Sequence, residues 1–435
     1  AREPHPARGR PAEPLGVSAG PPGLAARAGA VTLLGEVLDR GRMLDAGTLD
    51  LAPAERAEAQ GLAELVLRRL GQVDALLDSC LERRPKPPVE HVLRVMAAEI
   101  ALAGRAPHAA VDLAVRQVKR GRTAKMAGLV NAVGRRLAAE GAARPDALPP
   151  PAMPRWLARR LATDWGAATA EAIAAAHLVP APVDLTPRDP AEAGRLADAL
   201  GAELLPTGSL RLSARPQISA LPGHGEGAFW AQDAGAALPV RLLGEVAGLR
   251  VLDLCAAPGG KTLQLAAAGA RVSALDVSEA RLGRLRENLA RTGLAAEIVV
   301  ADALDWAPEA PFDAVLVDAP CSATGTLRRH PDLAHRGAPD LAALTRLQTR
   351  LLDRAWDWVV PGGRLVFATC SLFRAEGEDR ADSHSDRHPE ARAVAPEDPA
   401  LAPFLDGRGR LRTRPDMWAA RGGVDGFFAA AWDRG

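Results

Sequence analysis

The sequence contains no tyrosine, and aromatic residues make up only 3% of its 435 positions. No two of its cysteines have the CxxC spacing of a zinc ribbon or a thioredoxin-type redox motif. A chain this long and this poor in cysteine is not a disulfide scaffold. We therefore expect no metal site, and free thiols at all four cysteines, which are Cys80, Cys255, Cys321 and Cys370.

The chain also lacks long apolar runs and a strong net charge. No run reaches membrane-spanning length, so we expect a soluble, cytoplasmic, monomeric protein with no membrane partner. The net charge of +1 argues neither for nor against nucleic acid. Residues 81–137, however, carry twelve Lys and Arg against four Asp and Glu, a local charge of +8. Such a run is either a nucleic-acid-binding surface or an ordinary solvated helix face.

Length and a hydrophobic content of 48% predict two or three domains with real cores. Residues 1–29, rich in Pro, Gly and Ala, are predicted to be a disordered tail. Residues 30–143 have helical periodicity and predict an all-helical domain, which the Pro-rich linker 144–154 ends. Residues 155–245 predict helices and a small α/β unit. Residues 246–435 alternate apolar strands with helices, which is typical of a Rossmann-like, doubly wound, mostly parallel sheet.

A glycine-rich turn follows the first of these strands, in "VLDLCAAPGGKT" at residues 251–262. Such a turn directs backbone N–H groups and a helix N-terminus at a ligand. A phosphate-binding P-loop would need its first glycine at Cys255, and a dinucleotide fingerprint is absent. A nucleoside without pyrophosphate remains, most commonly S-adenosylmethionine; a turn that binds nothing is the alternative. The predicted binding turn comprises Cys255, Ala256, Ala257, Pro258, Gly259, Gly260 and Lys261.

Acidic residues end three successive strands, at Asp276, Asp302 and Asp318. The carboxyl ends of parallel strands form the edge at which doubly wound sheets bind ligands. We expect Asp276 to bind ribose hydroxyls and Asp302 to accept from an adenine amine. Lys261 is expected to contact either the carboxylate of the cofactor or a phosphate of the RNA. Alternatively, it is solvated and binds neither.

Three longer stretches carry a family resemblance: "DLCAAPGGKT", "DAPCSATGTLRRHPD" and "GGRLVFATCSLFRAEGED". With the closing "DGFFAAAW", they make residues 150–435 similar to the NOL1/NOP2/Sun family of RNA cytosine-5 methyltransferases. The segments "HAAVDLAVRQVK" and "GLVNAVGRR" resemble a NusB-like RNA-binding domain. Together the two resemblances point to the bacterial RsmB (Sun/Fmu) branch, which modifies small-subunit ribosomal RNA. One departure is Ala323, where the family usually has glycine.

The resemblance implies a reaction in which thiols are needed. C5 of cytosine is a poor nucleophile, and a thiolate that adds to C6 makes C5 enamine-like. In this family the Thr-Cys cysteine, here Cys370, attacks, and the Pro-Cys cysteine, here Cys321, helps product release. DNA cytosine-5 enzymes use the Pro-Cys cysteine instead, which leaves Cys321 open as the nucleophile. Asp318 begins the Asp-Ala-Pro-Cys motif and is predicted to belong to the catalytic site.

The expected partner is ribosomal RNA with a single-stranded or flipped cytidine, because a stacked base cannot reach a buried thiol. Arg328, Arg329 and His330 are expected to contact phosphate. Two other classes remain possible at this stage: a non-enzymatic ribosome-assembly factor with a vestigial methyltransferase domain, and a P-loop nucleoside triphosphatase.

Overall fold

A computed structural model of the protein describes residues 22–120, 122–139, 148 and 150–435. The chain forms two compact units. The first is built from most of the chain up to residue 148, and the second from residues 149–435 together with the short segments 41–43 and 67–72. No helix in the described ranges is both long and apolar enough to cross a membrane.

The first unit is helical, as its periodicity predicts. Its helices are α1 (Leu24–Leu38), α2 (Pro53–Arg68), α3 (Leu70–Cys80), α4 (Val89–Ala101), α5 (Pro107–Lys119) and α6 (Ala127–Ala139). The α4 helix is buried on almost every side and forms the centre of this unit.

Helix α1 begins inside the stretch 1–29 that composition predicts to be a disordered tail. The prediction is wrong for residues 24–29, because Ala, Leu and Arg are strong helix formers. Arg27 is also buried against Glu99, with Arg27 Nε 2.9 Å from Glu99 Oε2. Residues 1–21, and residues 144–147 and 149 of the predicted linker 144–154, lie outside the described residues.

The basic stretch 81–137 consists of two kinds of side chain. Four of its cations form ion pairs within the first unit, namely Arg84 with Asp74, Arg94 with Asp74, Arg105 with Glu99 and Arg116 with Asp112. Another group is exposed around the end of α5, namely Lys119, Arg120, Arg122 and Lys125. Arg83 and Lys86 before α4 and Arg135 and Arg136 on α6 are also exposed, so the group around the end of α5 is one of several exposed basic segments.

The second unit opens with two helices and a small sheet. These elements are α7 (Arg155–Trp165), α8 (Ala167–His177), β1 (Val183–Pro187), α9 (Ala193–Leu200), β2 (Glu203–Leu204), β3 (Leu210–Leu212) and β4 (Phe229–Ala231). The four strands pair antiparallel in the order β2-β3-β1-β4. The predicted strand, helix and strand are thus present, in an antiparallel arrangement.

The main sheet follows. Its elements are α10 (Ala234–Arg241), β5 (Arg250–Leu254), α11 (Gly260–Ala267), β6 (Arg271–Asp276), α12 (Glu279–Thr292), β7 (Glu297–Val300), β8 (Phe312–Asp318), α13 (Leu341–Asp357), β9 (Val359–Thr369), α14 (Glu378–Arg387), β10 (Ala391–Val394), β11 (Leu411–Arg412) and β12 (Phe428–Arg434). The order is β10-β12-β9-β8-β5-β6-β7, with β11 beside β12. Strands β5 to β9 are parallel, and β12 runs antiparallel to β9. The predicted Rossmann-like, mostly parallel sheet is confirmed.

This strand order positions the site. From β5 the chain adds β6 and β7 on one side, and then returns to add β8 and β9 on the other. The carboxyl ends of β5 and β8 therefore flank the point where the order reverses, which is where open α/β sheets bind ligands. Apolar residues of these strands lie in two buried clusters, one on each face of the sheet. This packing holds the polar residues at the strand ends rigidly.

Candidate functional site

The glycine-rich turn between β5 and α11 is tightly built. Gly259 has φ +105°, and a Cβ there would lie 2.4 Å from a side-chain carbon of Leu285, so only glycine fits. Cys255, without that freedom, also adopts a positive φ of 64°. Burial raises the pKa of the Cys255 thiol, which leaves it a neutral packing residue rather than a nucleophile.

Asp276 supports this turn from β6. One carboxylate oxygen accepts from the Ala257 N–H at 3.0 Å, and the other accepts from the Ser278 N–H at 2.9 Å. The side chain is buried. Asp302, in contrast, is exposed and accepts from the Leu304 N–H at 2.9 Å. Both residues are thus at the predicted sheet edge, and Asp276 already has a structural partner there.

A second buried acid, Asp253, lies within β5 under the turn. Burial raises the pKa of its carboxyl to about 7, and the Thr262 hydroxyl donates to it at 2.5 Å. This residue was not among those predicted from the sequence. The pattern that could have identified it is an aspartate inside an otherwise apolar strand, "VLDL", where a charged side chain must be buried.

Buried Lys261 and half-buried Asp318 form an ion pair that joins the turn to the end of β8. The Nζ atom lies 2.7 Å from Asp318 Oδ2 and 5.1 Å from the centre of the Phe427 ring. Burial alone would lower the pKa of the ammonium, but the Asp318 carboxylate outweighs it, and the pKa is raised. The alternative of a simply solvated lysine is therefore wrong.

Cys321 and Cys370 follow neighbouring parallel strands, β8 and β9, and their Sγ atoms are 3.4 Å apart. That distance is too long for a disulfide bond and suits a hydrogen bond between two thiols; both cysteines are free. The hydrogen bond with Cys370, together with burial, raises the pKa of Cys321 well above its ordinary value. The two thiols that the sequence places 49 positions apart therefore form one pair.

A cavity of about 500 Å³ opens beside this pair. It brings together many of the predicted residues, namely Ala256, Ala257, Pro258, Gly260, Lys261, Asp318 and Cys370. The predicted residues that do not line it are Cys255, Gly259, Asp276, Asp302 and Cys321. Of the two thiols, it is therefore Cys370 that faces the space in which a base could lie.

A row of cations on this cavity was not predicted from the sequence. Arg281, Arg284 and Arg291 of α12 all line it. Their spacing of three and seven places them on one helical face, and that spacing was visible in "EARLGRLRENLART". The cavity thus combines thiol chemistry with a positively charged wall.

The expectation that Arg328 contacts phosphate is wrong. Its guanidinium is buried, lies 3.4 Å from both Asp233 and Asp425, and donates to the Gly422 carbonyl. Arg329 and His330 do line the cavity. Burial lowers the pKa of Arg329, but Asp425, 2.5 Å away, outweighs burial and raises it. Two adjacent arginines thus have different roles, because one points into the protein and the other toward the cavity.

One group of potential metal ligands lies away from the cavity, on α13 and α14. It consists of Asp353, His384 and His388 in the described part of the chain. Asp353 already accepts from the Arg387 guanidinium at 2.7 Å. None of the three residues lines the cavity, so the group takes no part in its chemistry.

The chain is similar to known proteins over most of its length. Residues 240–433 match the family model described as 16S rRNA methyltransferase RsmB/F, and residues 25–139 match the NusB family. The chain is 37% identical to ribosomal RNA small subunit methyltransferase B of Xylella fastidiosa, over 94% of this chain and 97% of that protein. The chain belongs to the RsmB/F family. The protein of the same name from Xanthomonas campestris is also 37% identical, with the same coverage.

Solved structures resemble the chain in fold. The crystal structure of PH0851 matches with a TM-score of 0.72 over 96% of this chain and 99% of that chain, at 22% identity. A methyltransferase homologue from Pyrococcus horikoshii matches with a TM-score of 0.53 over 63% of this chain, at 26% identity. The RsmB/F assignment confirms the predicted resemblance and makes a nucleoside triphosphatase an incorrect alternative.

Proposed function

We propose that the protein is an S-adenosylmethionine-dependent methyltransferase that modifies C5 of a cytidine in small-subunit ribosomal RNA through a covalent bond between Cys370 and C6. The observation that carries the proposal is the pair of free thiols, 3.4 Å apart, with one of them on a cavity that also reaches the glycine-rich turn. Membership of the RsmB/F family supports rRNA as the substrate. A methyltransferase acting on an amine needs no such thiol.

The turn fits S-adenosylmethionine. The residues that would hold the cofactor are those of the turn from Cys255 to Lys261, with Asp276 and Asp302 at the adjacent strand ends. The backbone at Gly259 comes so close to α12 that no side chain fits there, and the N-terminus of α11 begins at the next residue. When bound, the cofactor supplies an electrophilic methyl group on a sulfonium.

The role of Cys370 is to make C5 reactive. Its thiolate adds to C6, the electron pair of the C5–C6 double bond is displaced toward C5, and C5 becomes nucleophilic. After C5 carries the methyl group, the C5 proton passes to water. The electrons of that C–H bond restore the C5–C6 double bond, while the Cys370–C6 bond breaks and the thiolate departs. Cys321, as a neutral thiol beside Cys370, donates a hydrogen bond to the departing sulfur.

Cys370 rather than Cys321 is the nucleophile because of exposure and charge. Cys370 lines the cavity and Cys321 does not. Lys261 and Arg329 line the same cavity and supply positive charge on the side of Cys370. The hydrogen bond with Cys370 and burial raise the pKa of the Cys321 thiol and keep it protonated.

The RNA would lie against the cations at the mouth of the cavity. Arg281, Arg284, Arg291 and Arg329 supply positive charge on one wall, which suits phosphate groups that flank the target nucleotide. A thiol inside a cavity requires the base to leave its stack, so a single-stranded or flipped cytidine is the expected substrate.

A denaturing gel with two variants tests the proposal. Cys370→Ala cannot form the covalent bond, so it should be inactive and bind rRNA only reversibly. Cys321→Ala can still attack and methylate but lacks the hydrogen-bond donor for release. It should accumulate a protein–RNA adduct that survives denaturing electrophoresis after incubation with S-adenosylmethionine and a small-subunit rRNA transcript.

Cys80→Ala is the matched control, because Cys80 is a buried cysteine of the helical unit; it should methylate normally and trap no RNA. An adduct in Cys370→Ala and none in Cys321→Ala would make Cys321 the nucleophile. Full activity in both variants would show that the thiols only pack. Bisulfite sequencing of the product, which detects C5-methylated cytidine, checks the position independently of the gel.

A further inference from the structure

The carboxylate of Glu376, which belongs to the short turn between β9 and α14, connects the loops that carry the two thiols. Its side chain is completely buried. Oε1 accepts from the Ser322 N–H at 2.9 Å and from Gln348 Nε2 at 3.0 Å. Oε2 accepts from the Ser371 hydroxyl at 2.6 Å and from the Ser322 hydroxyl. All four donors are neutral groups.

The donors stand next to the cysteines in the chain. Ser322 follows Cys321, and Ser371 follows Cys370, so one carboxylate holds the residue after each thiol. The two serine hydroxyls are also within 3.1 Å of each other. Gln348 extends the same network to the Cys321 loop, because its Nε2 also donates to the Pro320 carbonyl at 2.9 Å. Glu376 is therefore one of the links that hold the two cysteine loops together, beside the bonds from the Gly325 N–H to the Cys370 carbonyl at 2.9 Å and from the Leu372 N–H to the Thr324 hydroxyl at 3.0 Å.

The charges around the pair are unequal. Cys321 faces the Glu376 carboxylate, whose negative charge is one of the smaller causes that raise the Cys321 pKa, after the hydrogen bond with Cys370 and burial. Cys370 lines the cavity together with the ion pair of Lys261 and Asp318 and with Arg329, which pairs with Asp425. The Glu376 carboxylate, whose donors are neutral, and the ion pairs near Cys370 make the two thiols chemically different.

We propose that Glu376 is a positioning residue that clamps the two cysteine loops together and fixes Cys321 as the hydrogen-bond donor to Cys370. The idea rests on the proposed function, because it decides which thiol attacks and which one assists departure. Glu376 touches neither the cavity nor a reacting atom in the described structure, so its effect is exerted through Ser322 and Ser371.

The test is Glu376→Gln in the full-length protein. The glutamine amide has nearly the same shape as the glutamate carboxylate, but it carries no charge. Its NH₂ group replaces an oxygen that accepted hydrogen bonds, so two donors would face each other there. We expect the pH midpoint of iodoacetamide labelling at Cys321, followed by peptide mass spectrometry, to move to lower pH. Single-turnover methylation of rRNA should slow by about tenfold or more, as for supporting residues of other active sites, while the S-adenosylmethionine affinity stays unchanged.

Glu99→Gln is the matched control. Glu99 is also a buried glutamate, but it lies in the helical unit, where it pairs with Arg27 at 2.9 Å. It should leave the Cys321 labelling midpoint where it is. If Glu376→Gln does not fold, Ser371→Ala is the second variant, because it removes a single donor from the same carboxylate. It should slow methylation and shift the Cys321 labelling midpoint, and it should still bind the cofactor.

A wild-type labelling midpoint together with a wild-type rate in Glu376→Gln, or in Ser371→Ala where that variant is needed, would overturn the proposal. Thiol labelling needs no RNA. A protein that methylated another position would therefore still report on Glu376, which separates failure of this inference from failure of the proposed function.

Discussion

Ala323 occupies a backbone conformation that favours glycine. Its φ of 54° places it in the left-handed region, directly after the Cys321-Ser322 pair. An L-residue in that region costs about 1–2 kcal/mol relative to glycine, although a glycine also gives the unfolded chain more freedom to lose. The family resemblance had identified this position as the one where glycine is usual, and the structure supplies the physical reason.

We expect Ala323→Gly to raise the free energy of unfolding by about 0.5–1 kcal/mol, as the balance of these two terms. Chemical denaturation followed by circular dichroism measures it. Ala319→Gly, on the same connection but without a positive φ, is the control and should destabilise. An Ala323→Gly variant that is less stable than the natural protein would show that the strain is not relieved.

At the scale of the element, the turn between β5 and α11 depends on Asp276. The same carboxylate that is predicted to bind the ribose also accepts from the Ala257 N–H of the turn and from the Ser278 N–H before α12. Its removal would therefore eliminate a group that binds the ligand and loosen the segment that presents the others.

We expect Asp276→Ala to lower the affinity for S-adenosylmethionine by about tenfold or more, because a hydrogen bond to a charged group contributes about 1.5–3 kcal/mol. Isothermal titration calorimetry measures the affinity. Asp305→Ala, which removes an exposed carboxylate near Asp302, should bind normally. Unchanged affinity in Asp276→Ala would refute the cofactor assignment of this residue.

At the scale of the whole molecule, the basic stretch 81–137 decides whether the helical unit holds RNA. Ion pairs within the unit already counter several of its cations, and the exposed group around the end of α5 is one candidate for binding phosphate. Each phosphate that a cation neutralises releases counterions and steepens the dependence of affinity on salt concentration.

Replacing Lys119, Arg120, Arg122 and Lys125 by Gln in the full-length protein should weaken rRNA binding. The log–log salt slope should fall by about 0.7 for each phosphate that the variant no longer neutralises. Filter binding across a salt series measures both, and cofactor affinity should not change. Arg116→Gln, whose charge Asp112 already counters at 2.7 Å, should alter the slope little. An unchanged slope in the fourfold variant would mean that the basic group around the end of α5 is only a solvated face.

The sequence by itself determined the elements and the chemistry of the site. Short stretches of sequence were enough to predict the five parallel strands, the glycine-rich turn and the two cysteines. Continuous apolar runs, glycine and a reactive thiol can each be interpreted from a few neighbouring residues. The tertiary structure decided how those groups are used. Lys261 is paired with Asp318, 57 residues away, and Arg328 with Asp425, 97 residues away. The link between Ser322 and Glu376 spans 54 residues. Such pairs depend on the packing and register of strands and helices that are distant in sequence, and no local pattern carries that information.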